Sequence, residues 1–156
     1  MGQSYKKIRK HTKRMISIAI TAYKEPITIK KAITCILNQN PKNFELIVCA
    51  PDKETLEASK QTYKQVRLIK DPGKGKPTAL NLILKKAKGN VIVLTDGDVY
   101  VGNNSLSFLL EKFSDPRIGA VSGRPVPINK RDNFWGYISY LLTDIADKLR
   151  KKLSRE

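Results

Sequence analysis

Short apolar runs rich in β-branched residues alternate with segments of helical spacing through most of this chain. That alternation constrains the fold more than any other feature. Ile16 to Ile20 is a continuous run rich in β-branched residues, and reads as a buried strand. Residues 27 to 37 repeat at helical spacing through Ile29, Ala32, Ile33 and Ile36. A second strand follows over Leu46 to Cys49, a polar surface helix over Thr55 to Gln65, and a third strand over Val66 to Ile69. Residues 78 to 87 place Ala79, Leu80, Ile83, Leu84 and Ala87 on one helical face. Val91 to Thr95 is an unbroken apolar run ending in Asp96, followed by a helix over Ser105 to Phe113 and a strand over Ile118 to Ser122. Strands that alternate with helices predict an α/β fold of three layers, a mostly parallel sheet flanked by helices. Strands of such a sheet are expected to be buried on both faces.

The last segment, Arg131 to Leu153, is helical and amphipathic. Phe134, Trp135, Ile138, Leu141, Leu142, Ile145 and Leu149 recur on one side, and Asp132, Asp144, Asp147, Lys148 and Lys151 lie opposite. The chain therefore divides into a basic arm over residues 1–14, an α/β domain over 15–130 and a basic amphipathic helix over 131–156. The formal charge of +16 over 156 residues is concentrated at the two ends. Lys6, Lys7, Arg9, Lys10, Lys13 and Arg14 lie at the start, and Lys148, Arg150, Lys151, Lys152 and Arg155 at the finish. Such ends read either as solvated tails or as attraction to an anionic membrane surface, worth about 1 kcal/mol per basic residue near the surface. A nucleic-acid-binding module is a rival explanation of the charge, but the basic residues do not interleave with aromatics in an RNA-binding pattern.

Cys35 and Cys49 have no metal-ligand spacing and are expected to be reduced, core-facing residues of a cytosolic protein. The single histidine, His11, lies in the basic arm, which makes histidine-based catalysis a poor fit. No run approaches the roughly 18 apolar residues of a membrane span, and residues 1 to 14 have no apolar signal-peptide core. The expectation is a cytoplasmic chain, soluble or peripheral at the membrane face.

In an open α/β sheet, ligands gather at the carboxyl ends of the strands. Polar residues terminate each apolar run: Thr21, Tyr23 and Glu25, then Asp52, then Asp71, then Asp96 and Asp98. Asp96-Gly97-Asp98 is the strongest local pattern. Extended residues two apart point to the same side, so both carboxylates can face one cavity. Gly97 offers no side chain against a close approach. Paired carboxylates suit Mg²⁺ or Mn²⁺ with phosphate oxygens completing the shell, although Asp and Gly also end strands in ordinary turns. A second pattern, Gly73-Lys74-Gly75-Lys76-Pro77, combines permissive backbone with phosphate-neutralising lysines. It matches neither a Walker A loop nor a dinucleotide-binding GxGxxG, because Thr78 stands where the latter needs glycine.

These patterns occur together in an order that resembles family 2 glycosyltransferases of the GT-A fold. Thr21-Ala22-Tyr23-Lys24-Glu25 resembles the family's opening strand-end motif. Gly75-Lys76 before Ala79-Leu80-Asn81 is similar to its Gly-Lys-x-x-Ala-Leu-Asn segment. Asp96-Gly97-Asp98 resembles its Asp-x-Asp metal motif, and Gly119 to Arg124 the strand beyond it. The resemblance covers roughly residues 15 to 130. It implies that Thr21, Tyr23 and Glu25 line the nucleoside pocket, that Asp52 contacts the base and that Lys76 approaches the nucleotide or diphosphate. It implies Asp96 at the ribose and metal, and Asp98 as the direct ligand of Mg²⁺ or Mn²⁺. Cys49-Ala50-Pro51-Asp52 departs from the family's consecutive acidic residues at the base.

The implied reaction is a metal-assisted, inverting transfer from a nucleotide-diphosphate sugar, with UDP-sugars the expected donors, to a saccharide or lipid-linked acceptor. The family's general base lies beyond the metal motif. Asp132 and Asp144 are available carboxylates, but neither sits in the family's base pattern, so no catalytic base is identified. The expectation is the donor-binding N-terminal part of a transferase or a shortened relative. A non-catalytic nucleotide-sugar-binding subunit is the alternative.

Overall fold

The computed structural model describes residues 15–153, so the basic arm and residues 154–156, Arg155 included, lie outside the described residues. The elements run β1 (Ile16–Thr21), α1 (Thr28–Leu37), β2 (Phe44–Ala50), α2 (Lys53–Thr62), β3 (Arg67–Lys70), α3 (Lys76–Lys86), β4 (Val91–Asp96), α4 (Ser105–Lys112) and α5 (Phe134–Leu153). They divide into two compact units between Arg117 and Ile118, earlier in the chain than the 130/131 boundary drawn from the sequence.

In the first unit, β1 is buried along its whole length and pairs in parallel with both β2 and β4. Alternate residues of a strand face opposite sides, and here each side meets its own helices. Ile16, Ile18 and Ile20 join Leu46 and Val48 against Ile29, Ile33 and Ile36 of α1, Ala58 of α2 and Leu106 of α4. Ala19, Ile47, Cys49 and Ile69 face the other way, onto Ala79 and Ile83 of α3. The three-layer, mostly parallel α/β fold expected from the alternation is the fold found, with every strand pair parallel.

The strand order is β3-β2-β1-β4. The chain steps outward from β1 through β2 to β3, then returns to add β4 on the opposite side of β1. The direction of winding therefore reverses between β1 and β4, the setting for a crevice at that switch point. Thr21 and Asp96 are register partners at this place.

Two strand expectations need correction. β3 and β4 are edge strands and are not buried on both faces: Leu94 is 49% exposed, because α3 packs on β1 and β2 and leaves the outer strand uncovered. Residues 118–122 form no strand. No neighbouring strand pairs with them among the described residues, and an apolar run needs such a partner to satisfy its backbone groups.

In the second unit, α5 starts at Asn133, whose side-chain oxygen accepts from the amide of Gly136 at 2.8 Å. Arg124 fastens the preceding segment to α5 through Asp144 at 3.2 Å and Asp147 at 3.5 Å. The apolar side of the helix is largely exposed, with Phe134, Trp135, Leu142 and Leu149 each more than half accessible. No helix among the described residues is long and apolar enough to cross a membrane. Cys49 is buried, Cys35 half-buried, and both are free thiols.

Candidate functional site

The carboxyl ends of the four strands border one open cleft of about 430 Å³ in the first unit. Thr21, Tyr23, Glu25, Lys76, Asp96 and Asp98 all line it. Asp52 does not.

Asp96 closes β4 and is held from two sides. The hydroxyl of Thr21 donates to its Oδ1 at 2.7 Å, across the β1–β4 register. The Lys76 ammonium donates to Oδ1 at 2.6 Å and to Oδ2 at 2.8 Å. Burial pushes the Asp96 carboxyl up, but the bonds from Lys76 and Thr21 outweigh it and hold the group below its ordinary value of 3.8. Lys76 stands in the first turn of α3, capped by Gly75 at φ 89°. A side chain at position 75 is strained by that dihedral, so glycine is what permits the helix to begin there and aim Lys76 across the cleft. The start of α3 borders the same space, and the positive end of its dipole favours anions, although Pro77 has no N–H and the Thr78 and Ala79 amides donate to the Gly75 carbonyl at 3.1 and 3.4 Å.

Glu25 is set in place by its backbone. Its amide donates to Thr55 Oγ1 at 2.9 Å, and its carbonyl accepts from Ile29 at 3.1 Å. Its Oε2 is buried without a hydrogen-bond partner among the described residues. Burial raises the carboxyl above its ordinary 4.5, and the charges of Asp98, Asp96 and Asp52 raise it further against a smaller pull from Lys76. Gly97 has a reason that its sequence context hides. A Cβ there would run into Glu25 Oε2 and come within 2.8 Å of Ala22 Cβ, so the missing side chain makes room for Glu25.

Asp52 is absorbed by local structure. It caps α2, its Oδ1 accepting from Thr55 N at 2.9 Å, while Oδ2 accepts from Lys24 N at 2.8 Å. Burial pushes this carboxyl up, but those bonds hold it below the ordinary range. The bond to Lys24 steadies a residue at φ 55°, and so fixes the turn that carries Tyr23 and Glu25 to the cleft. Asp71, Cys49, Pro51 and Gly73 line the cleft at the β2–β3 side; the sequence marks Asp71 as a strand-end acid and Gly73 as the head of the glycine-lysine loop, but gives Cys49 and Pro51 no part in a site. For Asp71 the signal was position alone, since it ends the third apolar run.

Glu25, Asp96 and Asp98 face one cleft with Lys76 as the cation among them. No group of three or more His, Cys, Asp or Glu gathers closely enough among the described residues to hold an ion by itself. The donors present are hard oxygens, and Mg²⁺-type ions commonly use one or two carboxylates with phosphate oxygens for the remainder. The orphaned Glu25 oxygen adds negative potential beside that pair. The residues fit such an ion held jointly with a phosphorylated ligand.

Comparisons with known proteins place the chain in a family and support its fold. The chain is 33% identical over 130 residues to a poly(ribitol-phosphate) beta-glucosyltransferase of Bacillus spizizenii, covering 72% of this chain and 20% of that protein. It is 24% identical over 153 residues to a beta-monoglucosyldiacylglycerol synthase of Trichormus variabilis, covering 90% of this chain and 33% of that one. The chain thus spans a fifth to a third of these relatives' length. Among solved structures, it resembles glucosyl-3-phosphoglycerate synthase from Mycobacterium tuberculosis, crystallised with Mn²⁺, uridine diphosphate and phosphoglyceric acid. That likeness has a TM-score of 0.57 and 22% identity, covers 66% of this chain and 40% of the synthase, and concerns the fold. The profile of "Glycosyl transferase family 2" matches residues 17–155, nearly all of the chain, and on that match the chain belongs to glycosyl transferase family 2.

Proposed function

We propose that this chain binds the nucleotide-diphosphate sugar, a UDP-sugar by preference, for a metal-dependent and inverting transfer to a saccharide or lipid-linked acceptor. The observation that carries the reading is the grouping of Asp96, Asp98, Glu25 and Lys76 around the start of α3, at the β1–β4 switch point. Thr21, Tyr23 and Glu25 line the nucleoside side, and the exposed Tyr23 ring offers a stacking face. Lys76 and the positive end of the α3 dipole neutralise the diphosphate, while Thr21 fixes the Asp96 carboxylate. Asp98, with Asp96, would hold Mg²⁺ or Mn²⁺ against the phosphates. When bound, that ion supplies Lewis-acid charge neutralisation to the departing diphosphate. The bound Mn²⁺ and uridine diphosphate of the mycobacterial synthase support the choice of ligands.

UDP and UDP-sugar affinity, titrated calorimetrically with and without Mn²⁺, tests the reading. The expected result is tight binding that depends on the ion. Absence of any nucleoside diphosphate binding would sink it.

A membrane-surface role for α5 has its own support. The helix exposes Phe134, Trp135, Leu142 and Leu149 and ends in Arg150, Lys151 and Lys152, a composition suited to lying in an anionic interface. The similarity to a diacylglycerol-glucoside synthase fits an acceptor at the cytoplasmic membrane face. Sedimentation with anionic liposomes is expected to show salt-sensitive binding. Equal recovery with neutral vesicles at all salt concentrations would dismiss the idea.

A further inference from the structure

The cleft holds a carboxylate that the donor reading leaves without work. Asp71 follows β3 directly and is 7% exposed, yet it borders the cleft on the side away from Asp96. Its Oδ1 accepts from Gly73 N at 2.6 Å, which fixes the side chain in a tight turn. Among the described residues its Oδ2 has only the Cys49 thiol, at 3.9 Å. A carboxylate has about four acceptor positions, and a thiol is a weak donor that leaves most of this demand unmet. No cationic side chain pairs with Asp71 among the described residues. A buried, under-bonded charge is costly unless a donor reaches it, and the cleft is the direction from which one can come.

Asp52, the strand-end carboxylate placed by resemblance at the base, already spends both oxygens on backbone amides. Lys76, Asp96 and Asp98 occupy the β4 side, where the diphosphate belongs. A nucleotide laid across the strand ends from that side carries its base toward β2 and β3, between Pro51 and Gly73.

We infer that Asp71 is the base-reading residue of this donor site, accepting the ring N–H of a uracil-type base through Oδ2. The inference rests on the donor reading above and deepens it. Oδ1 is committed to Gly73, so the site offers one strong acceptor for one donor. Uracil presents a single imide N–H flanked by carbonyls. Cytosine would turn an unprotonated ring nitrogen toward the carboxylate. Guanine has two adjacent donors and would call for both oxygens. Pro51 and Gly73 bound the slot: a Cβ on Gly73 would meet Pro51 Cβ at 3.7 Å, and φ of +70° at that position disfavours any side chain.

The test is a chemical cycle by titration calorimetry with Mn²⁺, using UDP, 3-methyl-UDP and CDP against the full chain, Asp71→Asn and Asp52→Asn. The unmodified chain is expected to prefer UDP to CDP and to lose about 10- to 100-fold affinity on N3 methylation, the range of a hydrogen bond to a charged group. Asp71→Asn is expected to lose UDP affinity by a similar factor, gain relative affinity for CDP and become indifferent to N3 methylation. Equal binding of UDP and 3-methyl-UDP by the unmodified chain overturns the inference without any variant, even if Asp71→Asn fails to fold. So does a methylation penalty that persists in Asp71→Asn and vanishes in Asp52→Asn. If the unmodified chain binds no nucleoside diphosphate, the donor reading itself falls and takes this inference with it.

Discussion

Lys76 and Asp96 stand twenty positions apart, yet the Lys76 ammonium lies 2.6 and 2.8 Å from the two oxygens of the Asp96 carboxylate. Their pairing joins the start of α3 to the end of β4 across the crevice made by the strand order. Both side chains remain partly accessible, so the pair is exchangeable and contributes little to folding. In the proposed donor site, the pair places a cation between a carboxylate and the space for a diphosphate.

Lys76→Ala is therefore expected to weaken UDP binding about tenfold, the range of a partly exposed charge-assisted bond. Uridine, which has no phosphate, should bind the variant and the parent alike. Titration calorimetry with the two ligands checks the difference. Equal loss for both would mean that Lys76 shapes the cleft instead of contacting phosphate.

The two acidic residues flanking Gly97 should separate by their partners. Among the described residues no cation pairs with Asp98, whereas Asp96 is tied to Thr21 and Lys76. Asp98→Ala is expected to abolish the gain in UDP affinity that Mn²⁺ provides and to leave metal-free binding nearly intact. Asp96→Asn should impair both, because it also releases Lys76. Manganese EPR beside calorimetry reads the ion directly. Undiminished Mn²⁺ dependence in Asp98→Ala would refute its assignment as ligand.

Gly97→Ala should be destabilising despite adding one methyl group. The new carbon overlaps Glu25 Oε2 and crowds Ala22, and Glu25 cannot step aside freely because Thr55 and Ile29 pin its backbone. A cost of about 1–3 kcal/mol is expected from such overpacking, together with weaker nucleotide binding as Glu25 is displaced. Thermal melts and calorimetry measure the two effects. A variant with parental melting and affinity would show that Glu25 has another resting place.

Much of this was legible in the chain. Residues 16–20, with only the small Ser17 among apolar side chains, and Val91 to Leu94 have the β-branched composition of parallel strands, although β4 at the edge is only partly covered, and Ile29, Ala32, Ile33 and Ile36 mark the buried face of α1. The Asp96-Gly97-Asp98 pattern pointed to a strand end and its cleft. What escaped were relations set by tertiary placement. Asp52 and Asp71 look alike as acidic residues after apolar runs, but Asp52 begins a helix and caps it. That cap was itself readable, from an Asp three residues before Thr55 at the head of a helical segment. The Lys76–Asp96 pair depends on strand order, which periodicity does not encode. The run at 118–122 has strand composition but, among the described residues, no strand beside it, and composition cannot supply one.

A second carboxylate gives the fold a distinct acid limb. Glu45 on β2 joins three other segments: Ser17 of β1 donates to its Oε1 at 2.6 Å, the amide of Lys88 donates to the same oxygen at 2.6 Å, and Arg67 of β3 reaches Oε2 at 2.7 Å. Burial pushes the Glu45 carboxyl up, but the bonds from Ser17, Lys88 and Arg67 outweigh it and hold the group below its ordinary 4.5. A depressed carboxyl contributes stability that is present above the unfolded value and lost as pH falls through the folded one. Glu25 has the opposite sign: its raised value gives a contribution that is full below 4.5 and fades as pH rises past it. Glu45→Gln keeps the shape of the side chain but turns an amide donor toward Arg67 or the Lys88 amide. The variant is expected to be less stable at neutral pH by about 1–3 kcal/mol. The gap should close on acidification below 4.5, because the parent then loses what the variant already lacks. Glu25 is common to both proteins and cancels in the difference. Urea unfolding of the pair across the acidic range measures this. A gap that stays constant with pH would mean that Glu45 acts by shape alone and carries no linked proton.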